Sequence, residues 1–268
     1  MKSMLGCVLA VLLMPVADPP ALTGQAATIY RKASAGKYFA TTATLAPEVV
    51  ATSDGKSFYT VWRSGGAAST PARWIVSLPG MEGFATDDLA IWSRHLKGRD
   101  VGLVSLQWWL GVDNSTASYY TPEEMYREIV IALTRVGAQP GRVMFHGFSR
   151  GSANAYAIAA MDAGTGRKYF GLNVASSGGV ALDYPPTRAI LSGAYGTRPL
   201  EGTRWITSAG GKDPSPDRDG IAAMRRTSAW LAAQGAAVVM SIEDESTGHG
   251  ALVLNPANAR KVLDLFLE

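Results

Sequence analysis

Cysteine is nearly absent from this 268-residue chain, whose one copy is Cys7. An internal disulfide and a thiolate metal cluster are both excluded. Histidine is scarce as well, with 3 copies, His95, His146 and His249. Chemistry that needs an imidazole has few residues to draw on. No long hydrophobic run occurs beyond Met4 to Val16, which is shorter than the roughly 20 apolar residues a spanning helix requires. Stable membrane insertion is not expected. A surplus of one charge is also missing, since 25 Lys and Arg face 22 Asp and Glu for a net +3, and no basic block appears. Nucleic acid is therefore not expected as a partner. With 47% hydrophobic and 18% charged residues, the composition is that of a folded globular chain.

The N-terminus shows the sharpest change in composition. Lys2 precedes the apolar run, and the small residues Thr23-Gly24-Gln25-Ala26-Ala27 follow it. This pattern reads as a signal peptide over 1–26, leaving 27–268 as one domain that is secreted or periplasmic. The competing reading is a buried N-terminal helix, which Pro15, Pro19 and Pro20 would interrupt. Cys7 falls within the leader, so the mature chain would contain no thiol. Leu5-Gly6-Cys7 opens the hydrophobic stretch rather than closing it, which does not suit a lipoprotein cleavage box.

Residues 27–66 are rich in Thr, Ser and Gly and hold one strand, Phe58 to Trp62, expected in an edge hairpin. Beyond them strand and helix alternate. Arg73 to Leu78 and Val101 to Leu106 are short apolar runs of the kind that form buried parallel strands. Between them Leu89, Trp92 and Leu96 share one helical face of Asp87 to Leu96. Thr121-Pro122-Glu123-Glu124 has the composition of a capped helix start, and that helix runs to about Val136. Strands follow at Arg142 to Phe145, Tyr169 to Val174, Arg204 to Ser208 and Ala237 to Ile242. Helices follow at Ser152 to Met161, Asp219 to Ala233 and Pro256 to Leu267. The alternation predicts a single α/β domain with a mostly parallel sheet covered on both faces.

The segment Gly147-Phe148-Ser149-Arg150-Gly151 joins a predicted strand directly to a predicted helix. Glycines at both ends allow a sharp turn with Ser149 at its apex, and the helix start behind it presents free N–H groups to a developing negative charge. A plain loop with a capping serine is the alternative. Here the chain resembles the α/β-hydrolase superfamily from about Phe58 to its C-terminus, which implies that fold and a catalytic order of nucleophile, acid, histidine. Asp213, in Gly210-Gly211-Lys212-Asp213-Pro214, then looks like the family's acid, and His249, in Thr247-Gly248-His249-Gly250, like its histidine.

Chemistry also favours His249, because a serine hydroxyl needs a neutral imidazole to take its proton. His146, just before the elbow, remains a competitor, and His95 reads as a solvated surface residue. Asp213 competes with Glu243, Asp244, Glu245 and Asp183. An oxyanion hole needs two N–H groups, one of them from Arg150, the residue after the nucleophile. The other is expected from Pro79-Gly80-Met81-Glu82-Gly83, whose Pro-Gly start is similar to cutinase-like polyester hydrolases. That resemblance implies Met81 as donor, with Gly80 the nearest competitor.

Gly80, Phe84, Trp108, Trp109 and Phe148 are the candidate substrate-binding residues, with Tyr119, Tyr120, Tyr184 and Ser176 to Gly179 as further candidates for the same cleft. Trp and Tyr also fill cores, so those aromatics carry a structural reading too. No helical insertion has the length of a lipase lid. An open cleft suits soluble or polymeric esters, with no metal or organic cofactor, and the reaction expected is ester hydrolysis of the esterase, polyhydroxyalkanoate depolymerase or cutinase-like kind. Phe148 and Arg150 around the serine, and the lack of terminal cysteines, depart from the cutinase pattern. A prolyl-oligopeptidase-type peptidase or amidase shares the residue order, although this chain has no room for its large extra domain. A non-catalytic binding protein on the same fold is the third class.

Overall fold

The computed structural model describes residues 21–268, so Cys7 and most of the expected leader lie outside the described residues. One eight-stranded sheet organises the chain, in the order β1-β2-β4-β3-β5-β6-β7-β8. β1 (Glu48–Ala51) and β2 (Phe58–Arg63) form an antiparallel hairpin at one edge. β3 (Arg73–Leu78), β4 (Val101–Leu106), β5 (Val143–Phe148), β6 (Phe170–Ser176), β7 (Arg204–Gly210) and β8 (Ala237–Asp244) run parallel. Their carboxyl ends therefore all point to one rim, where an α/β sheet places its functional loops.

Alternate residues of each central strand face opposite layers. On β3, Trp74, Val76 and Leu78 join one core with α4 (Pro122–Arg135), α5 (Arg150–Gly164) and α7 (Ile221–Ala233). Ile75 joins the other core with α3 (Ala85–Leu96) and α8 (Pro256–Leu267). The period of two in the strands and of 3.6 in the helices thus closes both faces of the sheet. Full burial of a Leu such as Leu89, which is 0% exposed, contributes about 1.5–3 kcal/mol. A Cβ at Gly102, in mid-strand, would stand 2.3 Å from the Trp74 ring, so glycine is what lets that indole lie flat across β4. The expected cap of α4 is present as a full capping box, with Thr121 and Glu124 each bonding the other's backbone N–H.

Two expectations need correction. Residues 27–66 hold more than a hairpin, because α1 (Gly24–Ser34) and α2 (Phe39–Leu45) precede it. Ala26, Ile29 and Ala33 line the buried face of α1 at helical spacing, a stripe too small to stand out among Thr, Ser and Gly. β5 runs through Phe148 rather than stopping at Phe145, because parallel pairing with β3 and β6 extends Gly147 against Leu78 and Phe148 against Ser176. A short helix, α6 (Pro185–Leu191), lies in the connection between β6 and β7. Among the described residues, it and the 3-10 turn at Thr116–Ser118 are the helical pieces in the long connections after β6 and β4, and neither is long enough to form a large lid.

Candidate active site

β5 delivers Ser149 to the carboxyl rim, where the chain turns straight into α5. Ser149 has φ 53° and ψ −121°, a conformation that costs a non-glycine residue on the order of 1–3 kcal/mol. Close packing enforces it. A Cβ at Gly147 would come 2.6 Å from Gly151 O, and one at Gly151 would come 2.6 Å from Leu78 O. Both flanking glycines are therefore required by contact as well as by turning. The Ser149 N–H donates to Ser176 O at 2.8 Å, which ties the apex to the neighbouring strand.

Asp213 leaves the end of β7 and His249 sits in the loop after β8. The His249 Nδ1–H donates to Asp213 Oδ2 at 2.7 Å, and the Ser215 N–H donates to the other carboxylate oxygen at 2.8 Å. Asp213 is fully buried while the imidazole is 29% exposed. The bond assigns the proton to Nδ1 and leaves Nε2 as a free base. The two loops meet because glycine permits it: a Cβ at Gly210 would lie 2.2 Å from Gly248 O. Phe148 packs its ring 4.9 Å from the imidazole, bringing His249 over the elbow. The Ser149 hydroxyl does not hydrogen-bond His249 in this state, and such contacts commonly tighten only around substrate.

The competing acids are engaged elsewhere. Glu243 forms a bidentate pair with Arg225, and Asp244 accepts from Ser246, Asn255 and Asn258. Asp183 is exposed, as is the acidic turn that follows Glu243 and Asp244. The competing histidines are engaged too. His146 is 1% exposed, and its Nδ1 accepts from Trp92 Nε1–H at 3.2 Å and lies 3.0 Å from the Ser77 hydroxyl. Burial pushes its pKa down to about 3. Beyond Ser77 lies Asp88, whose carboxyl burial pushes up to about 7, although its bond with Ser77 acts in the opposite direction. The Ser77 hydroxyl donates to Asp88 Oδ2, and the buried His146 Nε2 has no hydrogen-bond partner among the described residues. This group lies under the sheet, on the α3 side. His95 is half-buried rather than solvated, with Nε2–H donating to Val253 O at 2.8 Å.

The loop after β3 packs directly on the elbow, since a Cβ at Gly80 would lie 3.1 Å from Ser149 Cβ. Among the described residues, none accepts a hydrogen bond from the N–H of Gly80, Met81 or Arg150. All three are free to face a developing oxyanion. The Met81 side chain itself is 53% exposed. Trp108 and Trp109 do not line an open cleft. Trp108 is 1% exposed and its Nε1–H donates to Pro79 O at 2.9 Å, so the indole props the loop from beneath. Trp109 is 9% exposed and packs on Phe84, with ring centroids 5.6 Å apart. Tyr120 is buried with its hydroxyl on Asp54, and Ser176 and Ser177 are buried below the rim. Of the candidate substrate residues, Gly80 and Phe148 lie against Ser149.

Two residues escaped the sequence reading. Gln107, fully buried, binds Gly83 O and Trp109 O through Nε2 and the Ala85 N–H through Oε1, pinning the end of the loop after β3. A lone amide between β4 and two tryptophans was its only signal. Asp219, expected at a helix start, instead sits in a turn closed by its N–H on Ser215 O. That turn brings its carboxylate within 4.8 Å of both Asp213 and His249. Such a group could in principle share an ion, but Asp219 is paired with Arg218 at 2.7 Å and Asp213 with the imidazole. Each carboxylate already has its partner.

No protein-family model matches this chain, and no curated protein matches it in sequence. Solved structures do match it in shape. An esterase from Pyrobaculum calidifontis shares 16% identity over 82% of this chain and 83% of its own, with a TM-score of 0.58. The acyl-protein thioesterase 2 of Zea mays shares 18% identity over 78% of this chain and 99% of its own, at 0.53. The chain has the α/β-hydrolase fold. A prolyl endopeptidase is also similar, at 14% identity and 0.53, but the hydrolase fold seen here spans only 37% of that chain. At these identities the likeness concerns the fold alone.

Proposed function

We propose that this protein is a carboxylic-ester hydrolase in which Ser149 is the nucleophile, His249 the base and Asp213 the acid that orients it. The observation that carries the reading is the strained Ser149 at the end of β5, beneath an imidazole whose Nδ1 is committed to a buried carboxylate. His249 Nε2 takes the hydroxyl proton as Ser149 Oγ adds to the ester carbonyl. The oxygen that becomes negative is held by the N–H groups of Arg150 and Met81. Collapse expels the alcohol, which leaves with the proton returned from Nε2. Water then adds to the acyl carbon along the same path, giving a proton to Nε2, and collapse returns that proton to Ser149 Oγ as the acid leaves.

Apolar side chains around the rim support a hydrophobic ester, polymeric substrates included. Met81, Val112, Leu182 and Leu254 are 53%, 68%, 60% and 58% exposed, on the loops after β3, β4, β6 and β8. The Lys2 and Met4 to Val16 pattern supports export from the cytoplasm. A fluorophosphonate probe is expected to label Ser149, mapped by peptide mass, and Ser149→Ala to lose both labelling and hydrolysis of short 4-nitrophenyl esters. Labelling at another residue, or hydrolysis retained by the variant, overturns the proposal. Faster turnover of aminoacyl amides than of matched esters would move the protein to the peptidase class.

A further inference from the structure

Arg150 enters the elbow for its N–H, which leaves its side chain free for another role. Its guanidinium has no carboxylate within 4 Å among the described residues. Its ion instead lies over the Tyr119 ring, with Cζ 4.0 Å from the centroid, and one arm donates to Asn114 Oδ1 at 2.9 Å. Tyr119 is held in turn: its hydroxyl donates to the same Asn114 oxygen at 2.9 Å and receives the Glu82 N–H at 3.3 Å. Asn114 closes the set through Nδ2 on Met81 Sδ at 3.1 Å. The cation is thus clamped on one side by the loops after β3 and β4. A guanidinium has five N–H donors, and a neutral ring face with one amide oxygen leaves most of them free.

The nearby negative charges do not use them. Asp113 is occupied by Ser115 and Ser118, whose hydrogen bonds hold its carboxyl down at about 2. Glu82 is exposed and close enough to act on the Tyr119 phenol, but forms no ion pair with Arg150. A pre-set planar cation beside the oxyanion loop matches a carboxylate, which it can meet with two parallel N–H bonds.

We propose that the Arg150 side chain is a specificity site for esters that carry a free carboxylate, such as half-esters of dicarboxylic acids or hydroxy-acid oligomers with an acid end. This rests on the esterase reading above and names the substrate class within it. Asn114 and Tyr119 position the cation, and Glu82 competes with the substrate for it.

The test compares 4-nitrophenyl hydrogen glutarate with its neutral methyl ester in one low-salt buffer, following nitrophenol release. The ratio of kcat/KM, anionic over neutral, is expected to fall about tenfold in Arg150→Gln, chiefly through KM, with Arg150→Lys intermediate. Added salt should lower the wild-type ratio, and Glu82→Gln should raise it. Asn114→Asp sets a carboxylate against the guanidinium and should depress the ratio without touching the elbow, which covers the case of an Arg150 variant that does not fold. Equal loss on both esters in Arg150→Gln, with an unchanged ratio in Asn114→Asp, would show a loop clamp only and overturn the proposal. Failure of the wild type to label with fluorophosphonate would instead sink the esterase reading itself.

Discussion

The two sides of the site, taken here as its two walls, are held by different means. On the side of β5 to β8, main chain holds main chain: Ser149 N–H to Ser176 O and Ser177 N–H to Ser208 O, each at 2.8 Å, then Lys212 N–H to Thr247 O at 2.9 Å. These bonds step from strand end to strand end and carry Ser149, Asp213 and His249 with them. On the side of β3 and β4, side chains hold the loops: Gln107 and Trp108 under the loop after β3, and Tyr119 and Asn114 beside it, with Arg150 reaching across from the elbow. A wall built of backbone bonds keeps its geometry through most substitutions, whereas a wall built of side chains changes with each of them. The first suits invariant chemistry and the second suits selection among substrates.

Substitutions can break or sharpen that contrast. The largest effect is expected at Asp213→Asn, a loss of about a thousandfold in kcat measured with a short 4-nitrophenyl ester, because the imidazole loses its orienting carboxylate. Asp219→Asn, close by but paired with Arg218, should cost only about tenfold. Equal losses in the two variants would mean that the acid role is shared between them. On the opposite wall, Trp108→Phe removes the bond to Pro79 O and should lower kcat by about tenfold with a smaller change in KM, since the displaced loop serves the transition state more than binding. A change in KM alone would make the indole a substrate contact, contrary to its burial.

The smallest effect concerns stability and lies outside both walls. Asp88 has its folded-state pKa pushed up to about 7 by burial, against an unperturbed 3.8. Its contribution is fully present below the unfolded value and is lost as pH rises through about 7. Asp88→Asn keeps a neutral group against Ser77 and should raise Tm by a few degrees at pH 8 and by less at pH 5, read by thermal scans. The slope from His146, whose pKa is lowered to about 3, runs the other way and is common to both proteins. A gain at pH 5 as large as that at pH 8 would show that Asp88 does not carry the charge.

Much of the architecture was legible in the residues because it rests on short-range pattern. The central strands announced themselves as apolar runs, and Thr121 to Glu124 named a helix start that is capped as expected. Asp213 and His249 could be nominated from their places after β7 and β8 only through the resemblance to the α/β-hydrolase order. α1 was missed because alanine leaves a faint stripe, and Asp219 because a helix start and a tight turn share the same residues. The tryptophans were misplaced for a different reason: an indole after a strand can face solvent or core, and its composition is the same in either case.

What the sequence determined by itself is the alternation of the central strands with the helices beside them, the glycine-bounded elbow at Ser149 and the small set of acids and histidines able to serve it. These follow from periodicity, steric permission and scarcity, all local properties of the chain. Only the tertiary structure decided that His249 meets Asp213, that His146 is sealed against Trp92 and Ser77, and that Arg150 stands without a carboxylate between Tyr119 and Asn114. Those are facts about distance between residues far apart in the chain, and burial and hydrogen bonding act on distance alone.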